Sequence, residues 1–263
     1  MPSLTITLIQ TNLFWENKKA NQEMLEQKID SIKQKTEIVI LPEMFTTGFT
    51  MRPEIVAEKM DGETVQWMKK IASEKKIILT GSVIIEDNGK YFNRLIWMLP
   101  NGEFGVYDKR HLFAYADEHS HYSGGNKKLI ASVKGWKINL QICYDLRFPV
   151  WARQPYGDLE NKFDLLIYVA NWPEKRQIAW ETLLRARAIE NQCFVAGVNR
   201  VGEDGNKIFY SGGSRIVDPL GEIIYQKDTD EDIFTFSLQK EKITSTRNEF
   251  PFWRDADSFV ISE

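Results

Sequence analysis

Three short stretches carry side chains that could do chemistry together. In "LQICYDLRFP", Cys143 follows the alternating residues Ile138, Leu140 and Ile142 and precedes Asp145, Arg147 and Pro149. A thiol therefore stands where a half-buried strand gives way to a turn. Glu43 closes the apolar run "EIVILPE", and Lys109 follows "EFGVYD" in the stretch "YDKRHLF". A thiol needs a base or a nearby cation to become a nucleophile. The carbonyl it attacks needs a cation or N–H donors for the developing oxyanion, and a leaving amine needs a proton. A cysteine, a glutamate and a lysine meet all of these needs without a histidine.

Each of these residues also has a plainer reading. A free cysteine is commonly a small buried hydrophobe. Cys193, in "NQCFVAG", lies where a helix meets a strand among apolar neighbours and is read as core. Glu43 by default is a solvated turn residue, although Met44, Phe45 and Phe49 place apolar groups around it, a setting that suits a general acid or base. Lys109 by default is a surface lysine. Arg147, four residues beyond Cys143, either binds a substrate carboxylate in a bidentate pair or forms an ion pair with Asp145 or another loop acid. Phe45, Phe113 and Trp172 lie beside the three stretches and either wall a pocket or belong to the core. His111, His119 and His121 fit no standard zinc spacing, so no metal is expected.

The elements that must hold these residues read as a repeat. "LTITLIQ" alternates as a strand, and residues 17 to 35 read as a helix with Leu25, Ile29 and Ile32 on one face. "EIVILPE" is too short an apolar run for a helix and reads as a buried strand. A helix over residues 64 to 75 turns Val65, Met68 and Ile71 inward. "IILTGSVII", "RLIWML" and "EFGVYD" then form a meander, broken by "DNG" and "PNG". The second half follows the same plan. "FDLLIYVAN" matches "EIVILPE", and a helix over residues 174 to 192 is expected to bury Ala179, Leu183, Ala186 and Ile189. "CFVAGVNRV" and "GSRIVDPLGEIIYQK" match the meander. Two such halves, each a sheet with helices on one face, predict a four-layer α-β-β-α sandwich in which the two sheets pack together. In the repeat Glu43 is answered by Asn171, and Lys109 by Lys227. Ligand sites in open sheets collect at strand ends, so Glu43, Lys109 and Cys143 are expected to converge.

Composition sets the surroundings. At 263 residues, 43% hydrophobic and 27% charged, the chain suits one large domain over residues 1–263. A net charge of −3 gives no reason to expect nucleic acid or an anionic membrane as partner. No apolar run approaches the roughly 18 residues of a spanning helix. The start "MPSLTITLIQTN" reads as a first strand and not as a signal peptide. Two cysteines make no disulfide framework, which fits a reducing cytoplasm.

Taken in order, "VILPEMFTTGF", "YDKRHLF" and "ICYDLRFP" resemble the three signature segments of the nitrilase (carbon-nitrogen hydrolase) superfamily. "VANWP" and "RARAIENQCFVAGVNR" extend the resemblance over essentially the whole chain, and "ADEHSHYSGG" with "RNEFPFWRDADSF" is similar to the bacterial omega-amidases. The resemblance implies Cys143 as nucleophile, Glu43 as general base and Lys109 as stabiliser of the tetrahedral intermediate. It also implies the backbone N–H of Tyr144 as second oxyanion donor, Glu118 as the carboxylate that positions the lysine, and no cofactor. The implied reaction is hydrolysis of 2-oxoglutaramate or 2-oxosuccinamate through a thioester. A deaminated glutathione amidase, which shares "CYDLRFP", and a carbamoyl-amine hydrolase are the rival enzymes. The deaminated glutathione reading needs a wider, more cationic mouth, where "DEHSHY" offers acids and histidines. A non-catalytic scaffold would lack one of the three residues. A homodimer is also implied, with the C-terminal tail, residues 245–263, reaching across it by Phe250, Phe252, Trp253 and Phe259.

Overall fold

The computed structural model describes residues 3–154, 157 and 162–261, so Ser262 and Glu263 of the expected tail lie outside the described residues. In chain order the first half comprises β1 (Ser3–Gln10), α1 (Lys18–Asp30), β2 (Ile38–Ile40), α2 (Pro53–Val56), α3 (Glu63–Lys75), β3 (Ile78–Asp87), β4 (Lys90–Met98), β5 (Phe104–Asp108) and α4 (Glu118–His121). The second half comprises β6 (Ile130–Val133), β7 (Trp136–Ile142), α5 (Pro149–Ala152), β8 (Leu165–Ala170), α6 (Gln177–Asn191) and β9 (Phe194–Asn199). It continues with β10 (Val201–Glu203), β11 (Phe209–Ser211), β12 (Ser214–Val217), β13 (Ile223–Lys227), β14 (Asp232–Gln239) and α7 (Lys240–Glu249).

The strands form two six-stranded sheets, ordered β14-β1-β2-β3-β4-β5 and β13-β12-β9-β8-β7-β6. In each, parallel strands occupy the centre and antiparallel pairs both flanks. The sheets pack face to face. Leu4, Ile6, Leu8, Ile38 and Ile40 of one share a core with Ile138, Leu140 and Ile142 of the other. Val39, Leu41 and Leu79 face the other way and bury against Leu25 and Ile29 of α1 and Val65, Met68 and Ile71 of α3. Alternate residues of one strand thus serve two interfaces, which is why "EIVILPE" is apolar throughout. Trp180, Leu184 and Ala188 of α6 cover the second sheet, completing the four layers.

Some local expectations are corrected. The first helix is shorter than its apolar pattern: Asn17 caps it by accepting the Ala20 N–H at 3.1 Å, and it ends at Asp30. The buried side of α6 is Trp180, Leu184, Arg187, Ala188 and Asn191. Ala179, Leu183 and Ala186 are half-buried beside that face, and Ile189 is 51% exposed. The apolar spacing was read one position out of phase, because buried Arg187 and Asn191 disguise the true inner face. The strand β14 completes the first sheet by pairing with β1 from Ser3↔Gln239 to Gln10↔Asp232. Its sequence, "DIFTFSLQ", lies beyond the repeat that organises the sequence reading.

Candidate active site

Two sharp strand ends deliver Glu43 and Cys143. Glu43 follows β2 and is succeeded by Met44 at φ 43°, while Cys143 itself, directly after β7, sits at φ 42°. Left-handed backbone is costly for residues with a Cβ, on the order of 1–3 kcal/mol, and persists where the surroundings enforce it. Around Cys143 the enforcement is a buried carboxylate. Asp145 accepts hydrogen bonds from the Ile142 N–H at 3.1 Å, the His111 N–H at 3.0 Å and the Tyr107 hydroxyl at 2.7 Å. His111 Nδ1 also lies 2.8 Å from Asp145, and the Trp151 indole N–H donates to the Tyr107 hydroxyl at 2.9 Å. The turn that presents the thiol is thereby tied to the end of β5.

Lys109, just past β5, is buried between two carboxylates. Its Nζ donates to Glu43 Oε1 at 2.9 Å and to both oxygens of Glu118, at 3.0 and 2.9 Å. Burial opposes the lysine's charge, but Glu118 and Glu43 outweigh it and hold Lys109 above its ordinary range. Burial raises the Glu118 carboxyl against the pull of Lys109. Glu118 opens α4 and also accepts the Phe113 N–H at 2.6 Å. Glu43 is not in apolar surroundings: Asn93 Nδ2 donates to Oε1 and the Asn171 N–H to Oε2, each at 2.8 Å. Cys143 Sγ lies 3.8 Å from the Asn171 carbonyl oxygen, 8% of the residue remaining exposed. Burial, with the nearby Glu43 charge, pushes its thiol well above the ordinary cysteine range, while Lys109 pulls the other way.

Cys143, Tyr144 and Lys109 reach one cavity of about 180 Å³. That is below the roughly 300 Å³ at which pockets for drug-sized ligands begin, so a small substrate is favoured. Of the expected wall residues, Phe113 and Trp172 line it. Phe45 does not: it is fully buried on the helix side of the first sheet, its ring 6.0 Å from that of Trp67. Phe49 and Met51 face the cavity instead, and the Phe49 ring lies 5.0 Å from Lys109 Nζ. Arg147 also lines the cavity, with its guanidinium 5.0 Å above the Trp172 ring. The alternative of an Arg147–Asp145 pair is excluded, since Asp145 is bound by Tyr107, His111 and Ile142. The equivalent Lys227 is solvent-accessible and lies 3.5 Å from Asp230.

Other residues also line the cavity. Asn206, Ile208 and Tyr210 come from the β10–β11 hairpin, which the first half lacks: there β3 turns directly into β4. The turn signal "EDGNK" marks this insertion in the sequence. Arg176, in "PEKRQ", also lines the cavity and gives it a second arginine beside Lys109, contrary to the expectation of a mouth without a basic cluster. In sequence it looks like one more surface charge. The three histidines do not converge: His111 binds Asp145, and His119 and His121 lie near Asp117. Among the described residues no group of three or more His, Cys, Asp or Glu side chains is placed to hold a metal.

The profile of the carbon-nitrogen hydrolase family matches residues 5–248. The omega-amidase YafV of Escherichia coli is 43% identical over 99% of this chain and 100% of its own. The 2-oxoglutaramate amidase of Bacillus subtilis is 32% identical over 95% of this chain and 96% of its own. A carbon-nitrogen hydrolase superfamily protein of Xanthomonas campestris, solved with an arsenic adduct in its active site, superposes with a TM-score of 0.96. It is 43% identical, with all of both chains covered.

Proposed function

The chain belongs to the carbon-nitrogen hydrolase family and is a hydrolase of amide carbon–nitrogen bonds; within that class we propose an omega-amidase that converts 2-oxoglutaramate or 2-oxosuccinamate to the 2-oxo acid and ammonia. The observation that carries the reading is a buried Lys109 bracketed by Glu43 and Glu118 beside Cys143, at a cavity that also holds arginine. Relatives over nearly the whole chain bear that activity in their names.

In this reading Glu43 takes the Cys143 proton as sulfur attacks the amide carbonyl. Keeping the thiol neutral until that moment avoids a buried anion next to two carboxylates. The developing oxyanion faces Lys109 and the N–H of Tyr144, which lies in the first turn of a 3₁₀ helix over Cys143–Arg147, where N–H groups lack helical partners. The proton held by Glu43 passes to the leaving amine, ammonia departs, and a thioester remains on Cys143. Glu43 then deprotonates a water, which cleaves the thioester to the carboxylic acid and restores the thiol. Glu118 keeps Lys109 oriented. Arg147, over Trp172, meets the substrate carboxylate. Phe113 and Trp172 confine the short carbon chain. No cofactor enters.

The second arginine at the cavity favours a further reading, a deaminated glutathione amidase, whose substrate brings a second carboxylate. The cavity's size argues for the shorter amides. Competition decides: ammonia release with both substrate types in one vessel should show higher kcat/KM for the 2-oxo acid amides. Preference for deaminated glutathione would overturn the omega-amidase assignment and leave the chemistry intact. We place the whole chain in one hydrolase domain acting as a homodimer. Support comes from apolar side chains on the outer side of α6 and the adjoining β12–β13 turn: Ile178 is 82%, Ile189 51% and Leu220 46% exposed. Two free cysteines suit a reducing cytoplasm.

A further inference from the structure

Charge around the cavity is unevenly compensated. Lys109 is already held by two carboxylates, Glu43 and Glu118. An anionic substrate therefore needs cations other than Lys109. Arg147 and Arg176 are the cations in place. Both line the active-site cavity, and both also line the adjoining groove beside the start of α6. Among the described residues no carboxylate pairs with either.

Both guanidiniums are nonetheless held. Arg147 lies 5.0 Å above the Trp172 ring and Arg176 lies 5.0 Å above the Phe113 ring. Trp172 connects them, because its indole N–H donates to the Arg176 carbonyl oxygen at 2.8 Å. An arginine seated on an aromatic face keeps its planar N–H fork free for an oxyanion and has less freedom to lose on binding.

Resting on the omega-amidase reading, we propose that Arg176 is a specificity-determining residue, which together with Arg147 grips the single carboxylate of a short 2-oxo acid amide. Two charged donors on one carboxylate account for two arginines at one cavity, neither paired with a carboxylate among the described residues. The contact exists in ground and transition states alike, so its loss acts mainly on KM.

Steady-state kinetics on the full chain test this, with 2-oxosuccinamate and the uncharged amide butyramide as substrates for wild type, Arg176→Gln and Arg176→Lys. The preference ratio, kcat/KM for the anionic amide over that for butyramide, should fall about tenfold or more in Arg176→Gln, the size of one lost charged hydrogen bond. The fall should appear in KM, and Arg176→Lys should recover part of it. An unchanged ratio in an Arg176→Gln protein with wild-type melting would overturn the proposal. So would a loss confined to deaminated glutathione, since Arg176 would then serve a second carboxylate. A wild-type ratio near one would overturn the omega-amidase reading itself, and the proposal with it.

Discussion

Glu43 and Asn171 stand at equivalent strand ends in the two halves of the chain, and they bond to each other twice across the sandwich. The Asn171 N–H donates to Glu43 Oε2 at 2.8 Å, and Asn171 Nδ2 donates to the Glu43 carbonyl oxygen at 2.6 Å. The Asn171 carbonyl oxygen, 3.8 Å from Cys143 Sγ, continues the link to the thiol. One half thus supplies the carboxylate, and its counterpart in the other half holds that carboxylate beside the thiol.

Replacing Asn171 tests that link. Asn171→Ala keeps both backbone contacts and loses only the amide donor to the Glu43 carbonyl. We expect kcat to fall by about tenfold, with a stability loss of about 1–2 kcal/mol from the buried carbonyl left unpaired. Asn171→Asp sets a carboxylate against that carbonyl and should cost more on both counts. Thermal melting and ammonia release, run side by side, measure the two effects.

Removing the catalytic charges should separate the two halves functionally. Glu43→Gln and Lys109→Ala should each lower turnover by about a hundredfold or more, because both act on charge that develops in the transition state. Lys227→Ala, at the equivalent strand end, should be nearly silent, since that lysine is solvent-accessible and reaches only Asp230. Equal losses at Lys109 and Lys227 would contradict the asymmetry.

Thiol titration has a definite sign. Burial first, and Glu43 next, raise the Cys143 pKa, so its thiolate should be scarce below the ordinary cysteine range near about 8.5. Iodoacetamide should label Cys143 ahead of fully buried Cys193, whose thiol burial also raises. The rate should keep climbing with pH beyond the point where a free cysteine levels off. Peptide mapping after labelling across a pH series reads both features. A plateau at neutral pH would mean a preformed thiolate.

Self-association can be probed on the outer face of α6. The wild-type chain should sediment as a dimer at micromolar concentration, and Ile189→Asp should shift it toward monomer by placing a charge in an apolar contact. A monomeric wild type would contradict the homodimer.

What could be read from sequence divides along physical lines. Strands such as Ile38–Ile40 and Ile78–Asp87 were legible because apolar runs bounded by turn residues leave little choice. Glu43, Lys109 and Cys143 were legible because each breaks the pattern of its strand at its end. Arg176 and Asn93 were not. A lysine-arginine stretch looks like solvated surface, and a polar residue inside a strand looks like its outer face, until the other half closes over it. For Phe45 the sequence leaves pocket wall and core open, and the structure gives core: after the left-handed turn at Met44 the ring lies under the first sheet. Such a reversal leaves no mark in hydrophobic periodicity.

The most direct measurement compares wild type with Cys143→Ala on 2-oxoglutaramate, following ammonia and 2-oxo acid together. Wild type should release the two in equal amounts, and the folded Cys143→Ala protein should release neither above the uncatalysed background. Ammonia release that survives the loss of Cys143, or a wild-type enzyme that leaves the amide intact, would contradict the assignment of this cavity as a cysteine-dependent omega-amidase site.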